Sequence, residues 1–410
     1  MAIRAFILAI CAALSACNDT KNTYSLPPPG AHLLMSKKFS SLYAGGLAFD
    51  GERLAVRADH KLYEIEVTSG HEHVLSQSGD NTPVLALGPK EGAYVYSAQS
   101  NSIDSVSRSG KIERIMALDS KPIDWFPVGT HYFVLLESGT LLVGQGKDVK
   151  RYDLGGSTIG NDEAIWNMDG NIGVYRKNPL GFAVHVFSRA GTELVTCQIP
   201  KGPAGKRPLA TIDPKAKVAY INLRGERDFT MASVDCNTGK ANWSVDLYKE
   251  ASRRPLEQKN IYTTTATRGP ISCGSVVCAN VNVLTEAFGV PSSSGVACFE
   301  KATGKGTQSN VSQDFEISSG VGLGLLSPAV CVDEQVVFWS RRKPYISRWA
   351  VGATYNDPLA LVAENEDIGN IFNRAPASSG LTLMDQSVPE VVWDGRIAFL
   401  AGNRIMVIGK

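Results

Sequence analysis

Residues 234–243, VDCNTGKANW, hold the end of one strand, a tight turn and the opening of the next strand, and this unit returns along the chain. Asp235 carries a short carboxylate able to accept hydrogen bonds from turn amides. Thr238-Gly239 supplies the turn itself, because glycine tolerates positive φ. Trp243 then offers a large apolar plate to a neighbouring sheet. A weaker copy follows as CFEKATGKGTQ, residues 298–308. Further turns line up as Thr68-Ser69-Gly70, Arg108-Ser109-Gly110 and Arg189-Ala190-Gly191, beside Asn237-Thr238-Gly239 and Ala302-Thr303-Gly304. A small sheet cannot bury its apolar face alone, so a recurring one must stack on copies of itself.

The period follows from the strand end that precedes each unit's first turn: Phe49, Leu87, Trp125, Trp166, Ile212, Cys273, Cys331 and Trp393. These ends are 38, 38, 41, 46, 61, 58 and 62 residues apart. Four short strands in about 40 residues is the signature of a propeller blade. The fold expected is therefore all-β, an eight-bladed β-propeller of four-stranded antiparallel blades. The last unit, VPEVVWDGRIAFLAGNRIMVIGK (388–410), supplies three strands. The N-terminal segment HLLMSKKFSS (32–41) is expected to donate the fourth, closing the ring and removing open edges. A 43% hydrophobic content over 410 residues is enough for such a core.

The first sixteen residues stand apart. One basic residue, Arg4, precedes a short apolar run ending in Leu14-Ser15-Ala16-Cys17. The run is shorter than the roughly 20 residues of a spanning helix. The pattern resembles a bacterial lipobox, which implies cleavage before Cys17 and lipidation of that residue, anchoring the chain to a membrane. Asn18 follows, where Asp would favour inner-membrane retention in enteric-type sorting, so the resemblance implies an outer-membrane lipoprotein facing the periplasm or the cell surface. Residues 1–16 then read as signal peptide, 17–34 as lipidated cysteine and tether, and 35–410 as propeller. Removing Arg4 leaves 41 − 1 = 40 basic against 40 acidic residues. No net field favours nucleic acid. Six cysteines remain, Cys197, Cys236, Cys273, Cys278, Cys298 and Cys331, an even set that an oxidising periplasm can join as three disulfides in 15 connectivities. A bridge between Cys273 and Cys278, across a hairpin turn, is conceivable in one register; free buried thiols are the alternative.

The turns and strands resemble the repeats of PQQ-like, quinoprotein-type propellers, most closely in blades five and six. Together with the lipobox the chain is similar to the propeller lipoproteins of outer-membrane protein assembly, the BamB type. That resemblance implies a scaffold subunit that binds the barrel-inserting component, without cofactor or catalysis. The residues agree with a non-enzyme. No adjacent cysteines accompany the turn-plus-Trp pattern, which survives in full only at Trp243, so quinone chemistry is not expected. No GxSxG elbow or HExxH pair accompanies the six histidines. His71-Glu72-His73 reads as hairpin polarity rather than a metal site. Asp50-Gly51, Asp169-Gly170 and Asp394-Gly395 lack the extended calcium-loop spacing and read as hairpin turns. Trp125, Trp166 and Trp393 read as inter-blade core rather than a sugar platform.

Function is therefore sought where the loops grow. First-to-second and third-to-fourth turns lie on one face of a four-stranded meander, here the turn face. Second-to-third loops and blade connections lie on the other, the loop face. Insertions are expected on the loop face at 176–182, 224–228, 248–267, 285–295, 311–325, 340–346 and 364–387. They carry Arg176, Arg224, Arg227, Arg253, Arg254, Phe288, Arg341, Arg342, Tyr345 and Phe372. Arginine and aromatic side chains are the types enriched at interface hot spots. The expectation is a non-catalytic, lipid-anchored scaffold binding an envelope protein, with the barrel-assembly machinery as leading partner. A carbohydrate- or small-ligand-binding surface lipoprotein is the alternative.

Overall fold

The computed structural model describes residues 32–76, 83–155, 164–168, 171–202, 208–224, 229–246, 261–265, 270–285, 291–306, 310–312, 330–332, 335–339, 345–350, 357–361, 390–393, 396–401 and 404–409. These residues form strands and turns, with no helix long and apolar enough to cross a membrane. The strands make eight antiparallel sheets in chain order. Blades one to seven span 42–76, 84–117, 122–153, 165–200, 209–246, 261–312 and 330–361. Blade eight is built from Glu390–Trp393, Arg396–Ala401 and Arg404–Gly409. All eight strand-end markers fall on the first strand of their blade. Trp125, Trp166, Ile212 and Cys331 lie inside it rather than at its end, because the strands run on to Val128, Met168, Asp213 and Val332.

The fourth strand of blade eight is His32–Lys38, paired antiparallel with Arg404–Gly409 from His32 opposite Gly409 to Lys38 opposite Arg404. It begins inside the segment expected as tether. Blade six has an interrupted first strand. Ile261–Thr265 pairs with one end of Val276–Thr285, and Ile271–Cys273 pairs with the other. The 248–267 insertion is therefore shorter than expected.

Apolar side chains gather between blades rather than within them. Met35 and Phe39 join Leu47, Phe49 and Val56 of blade one and Ile405 and Val407 of blade eight in one cluster. Further clusters fill the seams one–two, two–three, three–four, four–five and five–six. Strands with both faces covered read as continuous apolar runs, as in Tyr132–Leu136, and each such side chain contributes about 1.5–3 kcal/mol. The fourth strands of blades two and three are largely exposed. Asp148–Asp153 (DVKRYD) presents charge along an edge that would otherwise invite strand addition.

The six cysteines form three disulfides, Cys197–Cys236, Cys273–Cys331 and Cys278–Cys298. The Cys273–Cys278 bridge is not made. In that hairpin Cys273 faces Val276 and Cys278 faces Ile271, so the two thiols are out of register. Cys278 sits directly opposite Cys298 on the next strand. Cys273 reaches the first strand of blade seven and Cys197 reaches blade five, so two of the bridges staple one blade to the next.

Candidate functional site

The turn face is built from short, tightly bonded turns. The Asp235 carboxylate accepts from the amides of Asn237 (3.0 Å) and Thr238 (2.8 Å) and from the Thr238 hydroxyl (2.9 Å). These bonds, the Thr238 amide first, hold its carboxyl below the usual range. Gly239 closes the turn at φ +68°. Asp50 does the same for its hairpin, accepting from the amides of Glu52 and Arg53.

The third-to-fourth turns of blades two, four and six also dock on the preceding blade. Trp243 Nε1 donates to the Lys301 carbonyl at 2.9 Å, and a Cβ at Gly304 would stand 2.7 Å from the Trp243 ring. Gly191 sits against Val143, with Tyr152 Oη donating to its carbonyl at 2.7 Å. In the first seam the turn residue Arg108 reaches Glu64 (2.9 Å) and Glu66 (3.2 Å) of blade one. Arg53 pairs with Asp50 and Glu64 and donates to the Gly88 and Lys90 carbonyls of blade two. Glu64 is fully buried. Burial pushes its carboxyl up, but the bonds from Arg108 and the Gly92 amide and the charges of Arg108 and Arg53 outweigh it, and the net shift is downward. Sequence reading missed this network. Glu64 and Arg108 are 44 residues apart and meet only once blades stack.

The loop face differs. Connections on the turn face run no longer than 301–309 among those bounded by the strands. The strand ends bordering the loop face leave 77–83, 118–121, 154–164, 201–208, 247–260, 313–329 and 362–389 between consecutive blades, the three longest toward the C-terminal blades. Arg224 ends the second strand of blade five and Tyr345 begins the third strand of blade seven, so both are strand residues whose backbones border this face. Arg227, Arg253, Arg254, Phe288, Arg341, Arg342 and Phe372 lie outside the described residues, as does Cys17.

Arg176 is a correction. It was expected in an exposed insertion, yet the strand Asn171–Asn178 runs through it and turns tightly at Pro179-Leu180 into Gly181–Phe187. Asn178 Oδ1 accepts from the Leu180 and Gly181 amides and holds that turn. The Arg176 side chain is only 2% exposed. Its Nε donates to the Gly155 carbonyl at 2.7 Å, and Gly139 leaves room for the guanidinium, since a Cβ there would stand 2.6 Å from it. Burial lowers its pKa, opposed by nearby Asp153. Arg176 is thus a seam residue between blades three and four. Its signal was available: Arg57, also buried, follows Asp50 by 57 − 50 = 7 residues, as Arg176 follows Asp169 by 176 − 169 = 7.

Among the described residues no group of three or more His, Cys, Asp or Glu side chains converges on a metal-sized site. His71 and His73 stack edge to face, and His73 lies 3.6 Å from Glu66. Trp125 packs against the seam between blades two and three. The side chains of Trp166 and Trp393 lie outside the described set.

No protein-family model matches the sequence, and no curated protein matches it. Among solved structures, the crystal structure of BamB from Moraxella catarrhalis matches with 10% identity and a TM-score of 0.50, covering 92% of this chain and 99% of that one. The Dos1 propeller matches with 11% identity and a TM-score of 0.49, over 92% and 95% of the two chains. Sqt1 of Saccharomyces cerevisiae follows at 7% identity and a TM-score of 0.48, over 93% and 99%. At such identities the likeness to the first of these is one of fold, and the fold is a β-propeller.

Proposed function

We propose that this chain is a non-catalytic, lipid-anchored interaction scaffold of the bacterial envelope, its eight blades closing a PQQ-like ring and its loop face holding a protein partner. The observation that carries the reading is the asymmetry between the faces. One face is spent on turns that dock blade to blade, while the long connections of blades four to eight collect on the other. Repeat architectures place insertions on their binding face. Arg224 and Tyr345 border that face in the backbone, and in the sequence Arg227, Arg253, Arg254, Phe288, Arg341 and Arg342 fall between the strand ends that border it.

The envelope setting is supported by the lipobox at Cys17 and by three disulfides, which persist in oxidising compartments. The fold likeness to BamB favours a role in outer-membrane protein assembly, with a barrel-assembly component as partner. An anchor raises the effective concentration of a membrane-bound pair, so modest direct affinity suffices. The test is pull-down of envelope proteins from cells expressing the tagged chain, with Arg341→Glu/Arg342→Glu as the variant. Loss of a specific partner with unchanged expression and disulfides is expected. Undiminished recovery would overturn the loop-face assignment.

A further inference from the structure

We infer that the turn face of blades five and six is a docking surface for an anionic lipid bilayer, so that the disc lies turn face down on the membrane and presents its loop face away from it. Five lysines crowd this sector. Lys215 and Lys217 lie on the first turn of blade five, Lys240 on its last turn, and Lys301 and Lys305 on the last turn of blade six. Lys215, Lys217, Lys240 and Lys305 are exposed.

The turns are held side by side. The Cys236 amide donates to the Lys217 carbonyl, and Trp243, three residues beyond Lys240, donates to the Lys301 carbonyl. Three carboxylates share the sector, each turned toward its own turn. Asp213 accepts from the Lys215 and Ala216 amides, Asp235 from its turn, and Glu300 from the Thr303 hydroxyl. The formal balance is 5 − 3 = +2, in a chain whose propeller is otherwise near neutral. In blades one to three the same face pairs several of its cations instead. Arg53 and Arg108 are bound by Asp50, Glu64 and Glu66, and Lys147 by Glu113.

Strand direction supplies the second argument. Third strands run toward the turn face, and His32 pairs antiparallel with Gly409, the end of the third strand of blade eight. His32 therefore sits at the turn-face rim, and the preceding residues, with Cys17 among them, join the propeller there. A membrane anchor at Cys17 would therefore reach the propeller from the turn-face side, and the lysines decide which face settles on the bilayer. This approach rests on the anchor proposed above, whereas the lysine surface does not.

The test uses the chain from Asn18 onward, which carries every described strand and no lipid. It is floated with vesicles of 30% phosphatidylglycerol in phosphatidylcholine, or of phosphatidylcholine alone, at low and at 300 mM salt. Binding to the anionic vesicles only, released by salt, is expected. Lys215→Gln/Lys240→Gln/Lys305→Gln should weaken it about a hundredfold, since each of the three cations near such a surface is worth roughly fivefold. Arg341→Glu/Arg342→Glu should leave it unchanged while losing the protein partner, which separates this surface from the loop-face reading. Equal binding to both vesicles, an unaffected lysine variant, or loss of vesicle binding in the loop-face variant would each overturn the inference.

Discussion

The docking of turn glycines yields a prediction with its control built into the chain. Gly304 and Gly70 occupy the same place in their repeats, with φ of +70° and +67°. Alanine at either position meets the left-handed penalty, about 1–2 kcal/mol. At Gly70 a Cβ would find nothing within 4 Å, so Gly70→Ala should cost no more than that. At Gly304 the Cβ would stand 2.7 and 2.8 Å from two ring atoms of Trp243. The ring or the turn must move, which adds about 1–3 kcal/mol of overpacking. Displacement would also strain the Trp243–Lys301 hydrogen bond, worth about 1 kcal/mol. Gly304→Ala should therefore be about 2–5 kcal/mol less stable than the parent, and about 1–3 kcal/mol worse than Gly70→Ala. Urea unfolding followed by far-UV circular dichroism and tryptophan emission measures both under identical conditions. The shared backbone term cancels in the comparison. Equal losses in the two variants would refute the claim that this glycine is a docking surface as well as a turn residue.

Glu64→Gln leaves Arg53 and Arg108 facing a neutral amide in the first seam, and should cost about 3–5 kcal/mol in the same assay. Because the folded Glu64 carboxyl is depressed, its contribution is present above the ordinary carboxylate value and is lost as pH falls through the lower folded value. Acid titration of stability should accordingly flatten below about pH 4.3 in the variant, and a parallel slope in both proteins would count against the network. Cys197→Ala/Cys236→Ala opens a loop with a sequence separation of 39, worth about 4 kcal/mol by loop-closure entropy. Non-reducing peptide mapping should recover Cys197–Cys236, Cys273–Cys331 and Cys278–Cys298, and a Cys273–Cys278 peptide would contradict the hairpin register.

Much of the blade plan was legible because turns and strand periods are local. Phe49, Leu87, Cys273 and Trp393 end first strands where the alternating pattern stops, and the five turn glycines mark third-to-fourth turns. The donated strand was also readable, since three strands at the C-terminus leave a partner wanting and HLLMSKK can supply it. What escaped was set by stacking. Cysteine pairing depends on which strands become neighbours around the ring, and no spacing reports that. Arg176 looked like a loop residue because Asn178-Pro179-Leu180-Gly181 is turn chemistry. Its inward direction comes from strand alternation against blade three. The lysines of blades five and six lie on short turns far apart in sequence, so their grouping on one face appears only once the blades stack.

The central claim is that the two faces are divided between membrane and partner. A photo-crosslinking residue placed at position 341 on the loop face, or at 240 on the turn face, tests it in living cells when the products are resolved by mass spectrometry. Protein adducts from position 341, with a barrel-assembly component among them, and none from position 240 are predicted. Protein adducts from 240 alone, or envelope polysaccharide as the sole product at 341, would contradict it.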